Sequence, residues 1–184
     1  MTTKPSYKVF RFRNRVEWKS GRHGTIRAAD KPAVEVSSPP QFNGEEATWS
    51  PEDLFLATVN VCLMQTFMEY VHRTDLGLIS YDSAAEGVLE RAEGRYRFTE
   101  FHLQPVIVVK SEEDVGRAAK ILDAAESACL ISNSIRATVK SPRSSWRNPS
   151  QRRWQRASAD DSHSSGRGSH QAEGLLHAAV SAGR

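Results

Sequence analysis

The sequence predicts an α+β fold, an antiparallel sheet covered on one face by two core helices. Three observations carry this. Before residue 38 the chain runs in short segments that alternate apolar and polar residues, as half-buried strands do. Two later stretches open on helix-capping serines, Ser50 and Ser111, and continue well past a dozen residues in helical pattern. Between them residues 78–109 fold back at Glu93-Gly94-Arg95, a hairpin turn. The expected order is β-β-β-α-β-β-β-α-β.

Tyr7–Arg13 alternates and is the first expected strand. Thr25–Ala28 and Ala33–Ser37 follow, set apart by Gly24 and Pro32. Ser38-Pro-Pro-Gln-Phe-Asn-Gly44 is a loop, because no helix passes through its two prolines. Ser50 is an N-cap, Pro51 suits the first helical position, and Asp53 completes a capping box. The helix Pro51–Val71 is apolar nearly all round (Leu54, Phe55, Leu56, Ala57, Val59, Val61, Cys62, Leu63, Met64), which predicts enclosure on most sides. Leu78–Ser83, Ala85–Arg91 and Tyr96–Val109 read as a meander, with Pro105 marking an edge or a bulge. In the second helix Val115, Ala118, Leu122, Ala125 and Cys129 form a one-sided stripe. Ile135–Lys140 is the last strand.

At 184 residues the chain suits one well-buried domain. Its first ten residues hold no apolar core of a secretory signal, and no apolar run approaches 18 residues. A cytoplasmic protein with no membrane span is expected, and there two cysteines are either inert buried thiols or a working pair. The net charge of +3 is unevenly placed, since residues 142–184 carry seven arginines against Asp160, Asp161 and Glu173. The body is near neutral and offers no case for a nucleic-acid surface. Residues 1–141 are the expected domain. Residues 142–184, rich in Arg, Ser, Gly and Gln, are an expected disordered tail.

Four residues stand out. Cys62 lies midway along the first helix and Cys129 ends the second, so both face one core layer and can exchange a disulfide if their geometry permits. Arg22 sits in the glycine-flanked turn Ser20-Gly-Arg-His-Gly24, and Glu52 lies in the first turn of the first helix. Singly, each has a plain reading: buried hydrophobe, exposed turn residue, acid favoured by the helix dipole.

Together they resemble the osmotically inducible protein C and organic hydroperoxide resistance (OsmC/Ohr) family of thiol peroxidases. Three matches carry the resemblance: the arginine turn 20–24, Ser50-Pro-Glu-Asp-Leu54 leading to Cys62, and Cys129-Leu-Ile-Ser-Asn-Ser134. The ordered set spans residues 7–140. Where the family's second-cysteine motif continues with proline this chain has Leu130, and Trp18 and Trp49 resemble the broad OsmC-like branch. The resemblance implies an OsmC-like fold in an intertwined homodimer with active sites at the interface. It implies a peroxidatic Cys62, a resolving Cys129, an activating Arg22 and a partner Glu52 that holds the arginine. It further implies an antioxidant role in oxidative stress, an organic hydroperoxide substrate and a dithiol reductant, a lipoyl-type dithiol being one candidate.

Elementary geometry agrees with a shared site. Ten helical residues rise about 15 Å, so Glu52 and Cys62 of one chain cannot touch. They meet across a two-fold axis if two copies of the helix cross antiparallel near Ala57, which is small enough for close approach. A mid-helix buried thiol needs a cation to ionise, and Arg22 is the best candidate. The apolar Leu54, Phe55, Met64 and Phe67 favour an organic substrate. No cofactor is expected: there is no glycine-rich phosphate loop, CxxC or HExxH, and His23, His72 and His102 are too scattered to predict a metal. A second reading is a non-catalytic protein of the same fold that binds a hydrophobic molecule at the dimer interface. A third, nucleic-acid binding through the tail, rests on its arginines and two tryptophans alone.

Overall fold

The computed structural model describes residues 7–141 and 146–147. Three strands form a first antiparallel sheet, β1 (Arg15–Ser20), β2 (His23–Arg27) and β3 (Val34–Val36), in that order. Tyr7–Arg13 alternates as a strand would but is irregular, and pairing begins at Arg15 instead. Gly21, at φ +49°, makes the turn between β1 and β2, a conformation that costs a side-chain-bearing residue steric strain. The Trp18 indole closes the turn by donating to Gly21 O at 3.0 Å. Arg22 is thereby carried on a short, pinned hairpin.

Helix α1 (Pro51–Thr74) starts where the capping signals place it. Ser50 Oγ accepts from Asp53 N at 3.0 Å, and Asp53 Oδ2 accepts from Ser50 N at 3.0 Å, so two otherwise orphaned donors are satisfied. By length and composition α1 would also pass as a membrane span. It is the central helix of this domain: Val59, Leu63 and Phe67 are fully buried against the sheet and the second helix. Enclosure on most sides is not found within one chain. Only that one stripe is buried, and Val61 is 52% exposed.

The expected three-strand meander is two long strands, β4 (Leu78–Ala92) and β5 (Arg95–Val109), paired antiparallel along almost their whole length. Glu93 and Gly94, both at positive φ, form the hairpin turn. Pairing with β5 carries β4 through Ser83-Ala84-Ala85, residues of low intrinsic strand preference. The bulges fall near Leu78–Ser80 and Val88–Leu89 rather than at Pro105. Pro105 lies between the two stretches of β5 that pair with further strands, so its missing N–H interrupts no ladder on that side.

The second helix, α2 (Glu112–Ala128), is capped by Ser111, whose Oγ accepts from Asp114 N. Because α2 carries the chain back across the sheet, β6 (Thr138–Lys140) joins β5 in parallel, and the second sheet is mixed. A two-residue strand past the expected boundary, β7 (Trp146–Arg147), also runs parallel to β5. The remaining expectations for the tail lie outside the described residues. The core gathers Val59, Leu63 and Phe67 of α1, Phe101, Leu103, Ile107 and Val109 of β5, and Ala118, Leu122 and Ala125 of α2.

Candidate active site

Cys62 is the twelfth residue of α1 and points to the α2 side, partly buried. Cys129 is not in the helix but caps it, with extended backbone (φ −64°, ψ 114°), and is 0% exposed. The chain then turns through a short 3-10 helix, Ser132–Ser134, that wraps back over the sulfur. Asn133 N donates to Cys129 O at 3.0 Å, and Ser132 Oγ donates to Cys129 Sγ at 3.2 Å. Both cysteines are free thiols, and they lie near enough for each to shift the acidity of the other.

The two sulfurs differ in acidity. Burial, then the hydrogen bond with Cys129, pushes the Cys62 thiol up, only partly offset by the Ile131 N–H and Thr66. Burial is also the largest influence on Cys129 and also raises it. The Ser132 hydroxyl, the backbone N–H groups of Ser132 and Ile131, and Cys62 together outweigh it, so Cys129 falls below the usual thiol range. The pair therefore shares its proton unequally, with the anion favoured on Cys129. None of the groups named for Cys62 is a cation.

Arg22 and Glu52 are placed elsewhere. The exposed Arg22 guanidinium reaches the Ser38 hydroxyl through Nη1 at 3.4 Å. Glu52 sits in the first turn of α1, its Oε2 shielded from solvent and without a hydrogen-bond partner, an arrangement that is costly unless something pairs with it. It borders a cavity of about 430 Å³ whose walls include Phe42, Leu56, Leu89 and Phe98. Of the apolar residues expected beside the substrate, Phe67 is fully buried against Tyr81, and Phe55 packs edge-on against Phe98 and Phe101. These two serve the core, and the apolar walls at the start of α1 come from other residues.

Several contributors were not read from the sequence. Ser132 and Ile131 lie inside the second-cysteine motif, but their hydrogen bonds to the sulfurs depend on the geometry of a turn that the motif does not spell out. His23, next to Arg22, bridges two carboxylates, with Nδ1 2.8 Å from Glu45 and Nε2 2.9 Å from Glu35. Asn60 and Ser83 pin α1 to β4 through contacts of 2.7 and 3.0 Å. Only their lone polar character within apolar or alternating runs marks them in the sequence. No cluster fit to hold a metal occurs among the described residues.

Comparison with known proteins completes this picture. The chain is 25% identical over 131 residues to the uncharacterized protein YmaD of Bacillus subtilis (strain 168), covering 68% of this chain and 87% of that one. Its fold matches an OsmC-like protein of unknown function from Vibrio cholerae, with a TM-score of 0.68, 22% identity and coverage of 73% and 99% of the two chains. It also matches an organic hydroperoxide resistance protein from Legionella pneumophila, with a TM-score of 0.59, 19% identity and coverage of 77% and 98%. At these identities the solved structures speak for the fold. The family model for OsmC-like proteins matches residues 44–141, more than half of the sequence and the stretch that holds Glu52 and both cysteines. The chain belongs to the OsmC-like protein family.

Proposed function

We propose that this protein is a thiol peroxidase that reduces organic hydroperoxides through Cys62 and Cys129. The observation that carries the reading is that the fold brings the two thiols, one from mid-helix and one from a helix cap, near enough for each to shift the acidity of the other. Family relatives that bear the description organic hydroperoxide resistance protein add weight. Cys62, the more accessible sulfur, attacks the distal peroxide oxygen, the O–O bond breaks, and the alcohol leaves with a proton. The resulting Cys62 sulfenic acid condenses with Cys129, releasing water and forming a disulfide. A dithiol then returns two electrons by exchange.

The active form is an intertwined homodimer. In the single chain Phe12 is 94% exposed and Trp18 75%, with Tyr7, Val9, Phe10 and Val16 of the same arm also exposed. So large an uncovered apolar stretch favours a partner surface. Two α1 helices crossing antiparallel at Ala57 bring Glu52 beside the partner subunit's Cys62. The unpaired Glu52 Oε2 then has a task, holding an arginine such as Arg22 by a charge-assisted bond. The guanidinium lowers the acidity barrier that burial imposes on Cys62. The cavity beside Glu52 opens onto the same point, and its apolar walls accept the organic group of the peroxide. The compartment that suits this chemistry is the reducing cytoplasm.

The reading is tested by following consumption of an alkyl hydroperoxide in the presence of a dithiol. The native chain turns over, Cys62→Ser falls to the uncatalysed rate, and Cys129→Ser consumes about one equivalent and then accumulates over-oxidised Cys62. A native chain with no turnover, or an undiminished Cys62→Ser, contradicts the proposal.

A further inference from the structure

Cys129 is 0% exposed, yet its sulfur is surrounded by donors. The turn that follows it is held rigidly: Ser134 N donates to Ile131 O at 2.9 Å, Ser134 Oγ to Leu130 O at 2.7 Å, and Asn133 Nδ2 to Ser127 O at 3.0 Å. These bonds aim the Ser132 hydroxyl at Cys129 Sγ, 3.2 Å away, and leave Cys62 to the weaker help of Ile131 N–H and Thr66. We propose that Ser132 is a positioning residue that holds the negative charge of the thiol pair on Cys129. Cys129 is thereby the leaving sulfur, and Cys62 the sulfur attacked, when the disulfide is reduced. This rests on the thiol-pair reading above.

The groups packed around the pair leave the serine as the natural cause. From α1 come Cys62 and Thr66. From α2 comes Glu126, which lines a cavity of about 220 Å³ together with Ser132, and a carboxylate disfavours a neighbouring anion. From β5 and β6 the same cavity receives the apolar Leu103 and Val139. On β4, burial, followed by the Asp82 and Glu126 carboxylates, pushes the Tyr81 hydroxyl up and keeps it protonated.

One thiolate of a dithiol attacks Cys62 Sγ, the Cys62–Cys129 bond breaks, and its electron pair leaves on Cys129, which Ser132 stabilises. The second thiol of the reductant, once deprotonated, attacks the mixed disulfide at the reductant's own sulfur and releases Cys62 as thiolate. The reductant leaves as its disulfide, two electrons have entered the protein, and the two thiol protons of the reductant end on the protein pair. A better leaving thiolate departs faster, so sulfur acidity directs which bond breaks.

Two measurements decide this, and neither uses a hydroperoxide, so they stand or fall apart from the peroxidase reading. First, Cys129 is isolated in a Cys62→Ala background and its thiolate is titrated by absorbance near 240 nm. Adding Ser132→Ala is expected to cut the thiolate fraction at neutral pH about tenfold, the effect of losing one hydrogen bond to a charged group, and Ser132→Thr to restore it. Second, the unaltered chain is oxidised with diamide, exposed briefly to glutathione, quenched in acid and mapped by mass spectrometry. The adduct is expected on Cys62 with Cys129 free. An unmoved titration in Ser132→Ala, or an adduct on Cys129, overturns the proposal. If Ser132→Ala fails to fold, the mapping and the Ser132→Thr titration carry the decision.

Discussion

The Cys129 sulfur is met by Ser132, Ile131, Cys62 and its own turn, all from one chain. At the opening of α1, about 15 Å along the helix axis from Cys62, Glu52 Oε2 is shielded and unpaired, and among the described residues Arg22 extends to nothing stronger than the Ser38 hydroxyl. One region finds its partners within the chain, and the other, among the described residues, does not. In the proposed peroxidase the difference separates two tasks: pairing the thiols needs only the fold, whereas ionising Cys62 needs a cation that the described residues of one chain do not bring. Under the proposed function, such a protein reduces peroxide only once assembled, while its disulfide can form in either state.

That contrast can be broken first at the complete end. Phe67 is fully buried one turn beyond Leu63 and packs against Tyr81 with ring centroids 5.5 Å apart. Phe67→Ala is expected to cost about 3–5 kcal/mol through lost burial and a residual cavity, read as a lower denaturant midpoint with an unchanged slope. A loss below about 1 kcal/mol would show that this region is far more plastic than its packing indicates.

At the incomplete end the cost falls on activity instead. Arg22 is exposed in a turn, so Arg22→Ala is expected to leave the melting temperature nearly unchanged. It should slow hydroperoxide reduction by about 10²- to 10³-fold, the scale of one guanidinium about 4 Å from a thiolate at an effective dielectric near 20. Mixing Arg22→Ala chains with Cys62→Ser chains sharpens the comparison. Recovered activity after subunit exchange places the two residues of one site on different chains, and no recovery after verified exchange refutes that.

The smallest effect is expected beside Arg22. Hydrogen bonds donated to Glu45, then to Glu35, hold the His23 pKa above its ordinary value, and His23 in turn, followed by Thr25, holds Glu35 below the usual carboxylate range. The raised histidine contributes fully below its unfolded pKa and loses that contribution as pH rises through the folded one. The lowered glutamate contributes above its unfolded pKa and loses it as pH falls through the folded one. The tether is therefore strongest at mildly acidic pH, between the two. Glu45→Gln should lower the His23 titration midpoint by NMR, and an unchanged midpoint would show that the bridge is absent in solution.

Much of this was legible in the sequence where a signal is local. The Ser50–Asp53 capping box marks the start of α1, Glu93-Gly94 marks the hairpin, and the stripe ending at Cys129 marks the face that meets Cys62. The arginine turn and the two cysteine motifs also located the family. What failed to read is non-local. Strand β1 (Arg15-Val16-Glu17-Trp18-Lys19-Ser20) alternates as Tyr7–Arg13 does, so the local pattern alone does not tell which of the two stretches pairs with β2. The continuity of β4 through Ser83-Ala84-Ala85 is imposed by β5. The acidity of Cys129 depends on a serine placed by a turn, and the apolar faces of α1 suggested a burial that one chain does not supply.

The central claim, that Cys62 and Cys129 work as a pair, is met most directly by counting thiols. Fully reduced protein is treated with one equivalent of an alkyl hydroperoxide, denatured, and assayed for free thiol and for the 62–129 cross-linked peptide. The expected result is loss of both thiols per chain with one intramolecular disulfide between them. Two intact thiols, or loss of Cys62 alone with Cys129 still free, would contradict the account.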